Sequence, residues 1–411
     1  MTESFFFTQN TVSIERLSWL VEIMKYYSTR IYPGSLQHHP KTPEPPLTCF
    51  FSGDACYCLA DRQYLRLWEI LFRLPSLRFL FDNRELGIRG ISAEPFRIRS
   101  PDQIGSPGPG QCDTEDSFWD LLIQKTGGNQ SLSLGFLDME SPYMHRSSIA
   151  MIDLFRSVVK HNLAPEFYGY LDGVYAVHEN QQPLDGENIN HALSEISSGA
   201  IQKGLSPLFL ACSRSTRDRG FNTYSGRKGK IISACTNPQV QIMDLSSLAA
   251  RFRKHHPILS HSSFFIRFEK RRKIPDLRPN RRIDPPPLIL FVSQSPYGTE
   301  MTRGALSFAL ACAHEGISTR VVFIEEGIFA LISHHDPEEC ETLYNLQSLI
   351  ESTSDRENLE YYSYVPSFQK RGLMGSNILK CVIPVGTSAI SKMLFQAPPH
   401  IDADHQRALI F

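Results

Sequence analysis

The chain has almost no net charge, no long apolar run and no paired-cysteine motif, and each absence closes off a class of function. Its 42 Lys and Arg stand against 43 Asp and Glu, a formal net charge of −1. No overall field therefore draws it to nucleic acid or to an anionic membrane surface. No apolar stretch approaches the roughly 18 residues that span a bilayer. The leading MTESFFFTQN carries an acidic residue and lacks the basic start of a signal peptide. Nine cysteines are scattered without a CxxC pair, which supports neither a zinc site nor a thioredoxin-type motif. Their odd number also speaks against a fully paired disulfide framework and for a reducing cytoplasm. Neither GxGxxG nor a P-loop sequence is present.

What is there fits a globular protein of several domains. A chain of 411 residues, 41% hydrophobic and 21% charged, is too long for one ordinary core and suits two or three. Short apolar runs alternate with stretches of helical periodicity, the pattern of parallel α/β units. Residues 1–125 contain an amphipathic helix, SIERLSWLVEIMKYY, then TCFFSGDACYCLADRQ and LRFLFDNRELGIRG, each a strand followed by a turn or helix. Residues 132–268 run from LSLGFLDM through SPYMHR, a helix, the strand PEFYGYL and Asp172-Gly173, and on through a further helix to LSPLFLACSRSTRDRG. The strand SFFIRF is expected to close this stretch. Residues 269–287, EKRRKIPDLRPNRRIDPPP, are basic and proline-rich; without aromatic residues they read as a solvated tether rather than an RNA-binding arm. Residues 288–411 then repeat the scheme.

The repeat has fixed offsets. Ser141-Pro142-Tyr143 returns as Ser295-Pro296-Tyr297 and Gly173 as Gly327, both 154 residues later, and Arg219-Gly220 returns as Arg371-Gly372 after 152. The first stretch carries a shortened version in Gly53-Asp54-Ala55 and Arg89-Gly90. Eight residues before the last glycine of each copy stand Asp82, Cys212 and Tyr364. The scaffold recurs three times and the thiol once. Cys212 ends an apolar strand where free backbone N–H groups and Arg214, Arg217 and Arg219 favour a thiolate, the nucleophilic form of cysteine. A small apolar plug at a strand end is the structural alternative, but an acid and a phenol at the matching positions point to a pocket or surface. Cys312, Cys56 and Cys58 read as structural, and Cys235 in ISACTN is the one rival thiol.

The order strand, SPYGTE or SPYMHR, helix, strand, DGVYA or EGIFA, then CSRSTRDRG, resembles the DsrE/DsrF/DsrH family, relatives of the TusBCD sulfur relay proteins. The resemblance runs in the order DsrH-like, DsrE-like, DsrF-like. It implies three tandem flavodoxin-like α/β domains and a sulfur carrier or sulfurtransferase that bears sulfur as a persulfide on Cys212. It also implies donor and acceptor proteins of TusA-like or DsrC/TusE-like kind, and a homodimer shaped like the family's heterohexamer. Tyr364 stands where DsrF-type members often have cysteine, so the third domain is not expected to carry sulfur. Tyr143, His145, Arg146 and Asp172 are candidates for lining the same edge and orienting a partner. No cofactor, metal, membrane or direct nucleic-acid contact is required. Two other readings remain: a scaffold in which Cys212 is incidental, and a flavin or nucleotide protein using SQSPYGTE as an anion-binding helix start.

Overall fold

The computed structural model describes residues 2–31, 47–74, 77–92, 110–111, 115–125, 132–144, 147–184, 186–225, 230–233, 236–254, 256–269, 287–332, 335, 345–395 and 407–411. In the first stretch, β1 (Thr2–Thr8), β2 (Leu47–Phe51), β3 (Leu77–Phe81) and β4 (Gly110–Gln111) lie side by side in chain order, all parallel. The second contributes β5 (Ser133–Asp138), β6 (Ala164–Gly169) and β7 (Leu208–Cys212), an antiparallel pair β8 (Asn222–Ser225) and β9 (Lys230–Ser233), then β10 (Gln241–Met243) and β11 (Ile258–Ser260). After β12 (Ser263–Glu269), the third contributes β13 (Leu288–Val292), β14 (Thr319–Phe323), β15 (Leu359–Tyr364), β16 (Ile383–Val385) and β17 (Arg407–Ile410).

The second stretch forms a five-stranded parallel sheet in the order β10-β7-β6-β5-β11, and the third repeats that order as β16-β15-β14-β13-β17. Parallel strands need crossovers, and the helices that supply them cover the sheet faces. Both sheets therefore have the α/β architecture expected, although their order differs from the 2-1-3-4-5 of flavodoxin itself.

One expectation is corrected. SFFIRF does not close the second sheet; Ile258–Ser260 does, parallel to β5. Residues of SFFIRF instead form β12, which pairs antiparallel with β1 on one side and β17 on the other. It joins the first and third stretches into one ten-stranded sheet. The physical gain is that one strand covers two edges that would otherwise present unpaired N–H and C=O groups. The proline-rich and glycine-rich segments read from the sequence, residues 35–46, 100–109, 126–131 and 270–286, lie outside the described residues.

Period-two alternation divides the cores. Along β13, Ile289 and Phe291 face a core with the helix Ile14–Tyr26, while Leu288, Leu290 and Val292 face the helix Met301–His314. Along β7, Leu210 and Cys212 join that second core and Phe209 and Ala211 the opposite one. The helix Met301–His314 is thus packed between the sheets of the second and third stretches.

Candidate functional site

Each copy of the repeat builds the same corner. A strand ends, and a seven-residue 3₁₀ helix follows at Gly53–Leu59, Leu171–Val177 or Glu325–Leu331. Its first residue is left-handed in all three, with φ of 54° at Gly53, 49° at Leu171 and 49° at Glu325. The next strand ends at Phe81, Cys212 or Tyr364, and Asp82, Cys212 and Tyr364 all cap short helices, Asn83–Ile88, Ser213–Asp218 and Val365–Lys370. Ser215 and Ser367, each three residues beyond the cap, accept from the backbone N–H of Leu171 and Glu325. The arginine that ends each short helix reaches back to an acid on the 3₁₀ helix: Arg89 to Asp54, Arg219 to Asp172, Arg371 to Glu326.

Two of the three corners are covered by the first helix of another stretch. Arg371 also bonds Glu15, in the first turn of Ile14–Tyr26, and Arg16 of that helix bonds Glu325. Trp19 on the same helix lies edge-on to Tyr364 with centroids 6.2 Å apart. In the matching arrangement, Arg219 donates through Nη2 to Glu300 at 2.9 Å, just ahead of Met301–His314. Tyr170 Oη donates to the Gly304 carbonyl at 3.0 Å. Gly304 allows this approach, since a Cβ there would stand 2.7 Å from Leu171 Cδ1. In the first stretch the arginine is paired locally, by Glu85 of its own short helix as well as by Asp54.

Cys212 therefore sits between two stretches of the chain. Its side chain is 1% exposed, and it lines a cavity of about 40 Å³ with Tyr170, Leu171, Arg214, Ser215 and Arg219 from the second stretch and Glu300, Arg303, Gly304 and Ser307 from the third. Arg214 and Glu300 are half-exposed, so the cavity meets solvent at that rim. Burial pushes the Tyr170 hydroxyl well above the usual phenol range, with the nearby Cys212 adding to it; Tyr170 is a neutral donor at this site.

The other sequence candidates separate. Arg214 and Arg219 line the cavity and Asp172 holds Arg219 from outside it. Arg217 is turned toward Asp218 and is not among the lining residues. Tyr143 lines a different cavity of about 260 Å³ with Ser141, Tyr175, His178, Gln181 and Phe221; its hydroxyl donates to Gln181 Oε1 at 2.6 Å. His145, Arg146 and Cys235 lie outside the described residues. Cys49, Cys56, Cys58 and Cys312 are buried and Cys381 is partly exposed; burial pushes the thiols of the first four strongly upward. In the SQSPYGTE loop, Ser295 Oγ donates to the Tyr297 carbonyl, and Thr302 Oγ1 in the helix that follows donates back to the carbonyls of Gln294 and Ser295. Sequence reading missed the third-stretch half of the Cys212 cavity. The available signal was Gly304, a glycine inside an otherwise apolar helix, which marks a close approach.

The repeat corner makes this architecture comparable with known proteins. Residues 287–401 match the DsrE/DsrF-like family. That DsrE/DsrF-like region contains Tyr364 and the helix over Cys212, while Cys212 itself lies outside it. Among solved structures, the ychN protein from E. coli is similar at 16% identity, covering 31% of this chain and 99% of that one, with a TM-score of 0.26; so low a score supports nothing further. No curated protein matches. Among the described residues no helix is long and apolar enough to cross a membrane, and no group of three His, Cys, Asp or Glu side chains is placed to hold a metal ion.

The corner of the first stretch yields a pH prediction. Asp82 is buried, and that burial, with Glu85 close by, pushes its carboxyl up to about 6 against the opposing hydrogen bond from Ser52. The ordinary value is about 3.9, so between roughly pH 4 and 6 the native state binds more protons than the unfolded chain. This contribution to stability is full below about pH 4 and is lost as pH rises through 6. Asp82→Asn keeps a helix-capping oxygen and should remove up to about 2 kcal/mol of that fall. Urea midpoints at pH 4 and pH 7 for both proteins check it; parallel pH profiles would refute it.

Proposed function

We propose that the chain is a sulfur carrier that accepts sulfane sulfur as a persulfide on Cys212 and passes it to the thiol of an acceptor protein. The observation that carries this reading is a thiol at a strand end in an arginine-lined cavity, where the matching corners hold Asp82 and Tyr364. The match of residues 287–401 to the DsrE/DsrF-like family supports a sulfur-relay setting. In the first step the Cys212 thiolate attacks the outer sulfur of a donor persulfide. A new S–S bond forms on Cys212, the donor's S–S bond breaks, and the donor leaves as a thiolate. Attack by an acceptor thiolate on the outer sulfur reverses the bookkeeping and returns Cys212 as the leaving thiolate.

On this reading the three stretches are a fusion of DsrH-like, DsrE-like and DsrF-like units, over 1–125, 132–268 and 288–411. The protein works in the cytoplasm with donor and acceptor proteins of TusA-like or DsrC/TusE-like type, as a homodimer. Arg214, Arg219 and Arg303 line the cavity that holds Cys212 and offer positive charge to an incoming anionic sulfur group. Intact-protein mass spectrometry after incubation with a persulfidated donor tests it. A dithiothreitol-reversible gain of about 32 Da per sulfur atom is expected; no gain from a donor that loads other thiols would remove the proposal.

The 1% exposure of Cys212 favours one second reading, a scaffold in which the thiol is packing. In that case Cys212→Ala leaves any sulfur-transfer activity intact and lowers the melting temperature instead.

A further inference from the structure

We infer that the open cavity at Tyr143 and Phe221 is the dock for the protein that exchanges sulfur with Cys212, and that it seats a tyrosine side chain of that partner. The inference rests on the carrier reading above and adds where the partner is held and by what chemistry. A comparison within the chain, the lining of the cavity and the position of one arginine carry it.

The third stretch supplies the comparison. Tyr143, Tyr175 and Gln181 return 154 residues later as Tyr297, Phe329 and His335, and their bonds return with them. Tyr143 Oη donates to Gln181 Oε1, and Gln181 Nε2 donates to the Tyr175 carbonyl at 2.7 Å. Tyr297 Oη donates to His335 Nδ1 at 2.9 Å, and His335 Nε2 donates to the Phe329 carbonyl at 2.9 Å. The His335 ring lies edge-on to Tyr297 with centroids 5.1 Å apart. Gln181 brings no ring, and among the described residues no aromatic side chain stacks on Tyr143. Its hydroxyl is pinned by Gln181 and by the Ile189 N–H at 3.3 Å, so the ring is a pre-positioned plate that costs little entropy to cover.

The walls differ as well. His178 and Phe221 stand where the third stretch has Ile332 and Leu373, an aliphatic wall exchanged for an aromatic one with a donor. Phe221 lies edge-on to Tyr175 at 5.3 Å and tilted against His178 at 4.8 Å between centroids. The Asn180 N–H donates to His178 Nδ1, so the neutral imidazole carries its proton on Nε2, which has no partner among the described residues. None of the lining residues is an acid, a lysine or an arginine, and the volume of about 260 Å³ admits one ring. An uncharged aromatic guest with an oxygen that accepts from His178 Nε2 fits these walls, and a phenol is that guest. Tyr143 and Tyr175 are 39% and 38% exposed. A free small molecule would stay largely in water in so open a site, whereas a side chain on a partner is covered by the partner's own surface. Met144, next to Tyr143, and Leu184, three residues beyond Gln181, add exposed apolar surface for it.

Arg219 ties the dock to the thiol. Its guanidinium carbon lies 5.8 Å from the Tyr175 ring centroid, and the same side chain lines the cavity at Cys212. A partner seated on Tyr175 is therefore one arginine away from the rim of Arg214 and Glu300 through which its sulfur approaches.

The test uses persulfides of synthetic peptides with an N-terminal cysteine, a spacer of two, four or six glycines, and a C-terminal tyrosine or leucine amide; these spacers reach roughly 10–25 Å. Loading of Cys212 is read by intact mass and peptide mapping in the full chain, in Phe221→Leu and in the half-exposed His178→Ile, and each rate is divided by that protein's rate with glutathione persulfide. Seating is read separately by photocrosslinking, with serine in place of the peptide cysteine and benzoylphenylalanine in place of the tyrosine. For at least one spacer the tyrosine peptide should load wild type about fivefold faster than the leucine peptide, the scale of an aromatic pair. That advantage should fall below about twofold in both variants, and crosslinks should map to residues 141–181 or 221. Equal rates for tyrosine and leucine peptides at every spacer, with glutathione persulfide still loading Cys212, would overturn the dock and leave the carrier reading standing. Crosslinks at the cavity with no loading from any donor would keep the aromatic seat and remove the carrier reading. An advantage that survives both substitutions, or crosslinks absent or elsewhere, would overturn the inference.

Discussion

Cys212→Ser abolishes the reducible mass gain and lowers sulfur delivery to an acceptor thiol at least a hundredfold. A serine hydroxyl is isosteric enough to keep the corner folded, but it is not ionised near neutral pH and cannot form a persulfide. The remaining cysteines are poor substitutes. Burial holds Cys49, Cys56, Cys58 and Cys312 as neutral thiols, and Cys381 is pushed upward by its own partial burial and by Glu351. The measurement is the mass of each protein before and after dithiothreitol, with transfer to a thiol acceptor followed alongside. A gain that persists in Cys212→Ser would move the chemistry to another cysteine, and peptide mapping would identify it, with Cys235 the first to inspect. A thermal melt within a few degrees of wild type separates lost chemistry from lost fold.

The largest stability effect is expected at the glycines inside the 3₁₀ helices. A Cβ at Gly173 would stand 2.0 Å from the carbonyl oxygen of Asp138, and one at Gly327 would stand 2.0 Å from that of Val292. Both obstacles are backbone at the end of a buried strand, so no side chain can swing aside. Gly173→Ala and Gly327→Ala should each destabilise the protein by about 3 kcal/mol or more, at the upper end of overpacking costs. Gly173→Ala should also displace Leu171 and Tyr170 and thereby disturb the Cys212 cavity, whereas Gly327→Ala acts at the Tyr364 corner. The corner of the first stretch already contains alanine, Ala55, and Ala55→Gly should cost only about 1 kcal/mol through backbone entropy. Urea unfolding of the three variants gives the comparison. A Gly327→Ala midpoint equal to wild type would mean that the corner is looser than its geometry.

These two predictions use different amounts of sequence information. The place of Cys212 in the corner was legible because the repeat supplied its own control: the same strand-to-helix junction carries an acid at Asp82 and a phenol at Tyr364, and the caps coincide in the structure. The strands around it were legible because buried parallel strands are continuous apolar runs. The role of β12 was not. SFFIRF has the composition of a strand that any edge would accept, and pairing between residues as distant as Phe5 and Ile266 leaves no local trace. Likewise Arg219 and its two neighbours looked alike as cations in SRSTRDRG. Only one of them reaches Asp172 and Glu300, while Arg217 turns to Asp218.

By itself the sequence determined the alternation of strands and helices, the recurrence of one corner three times, and the single thiol among the three caps. Those are local or periodic properties, written in apolar spacing, turn residues and fixed offsets. Tertiary structure alone decided that the first and third stretches share a sheet through β12, and that the helix Met301–His314 closes over Cys212. It also decided that Tyr143 belongs to another cavity. Each of these depends on which surfaces meet across dozens of residues of chain, and such meetings are set by the shape of the packed units rather than by any segment's own preferences.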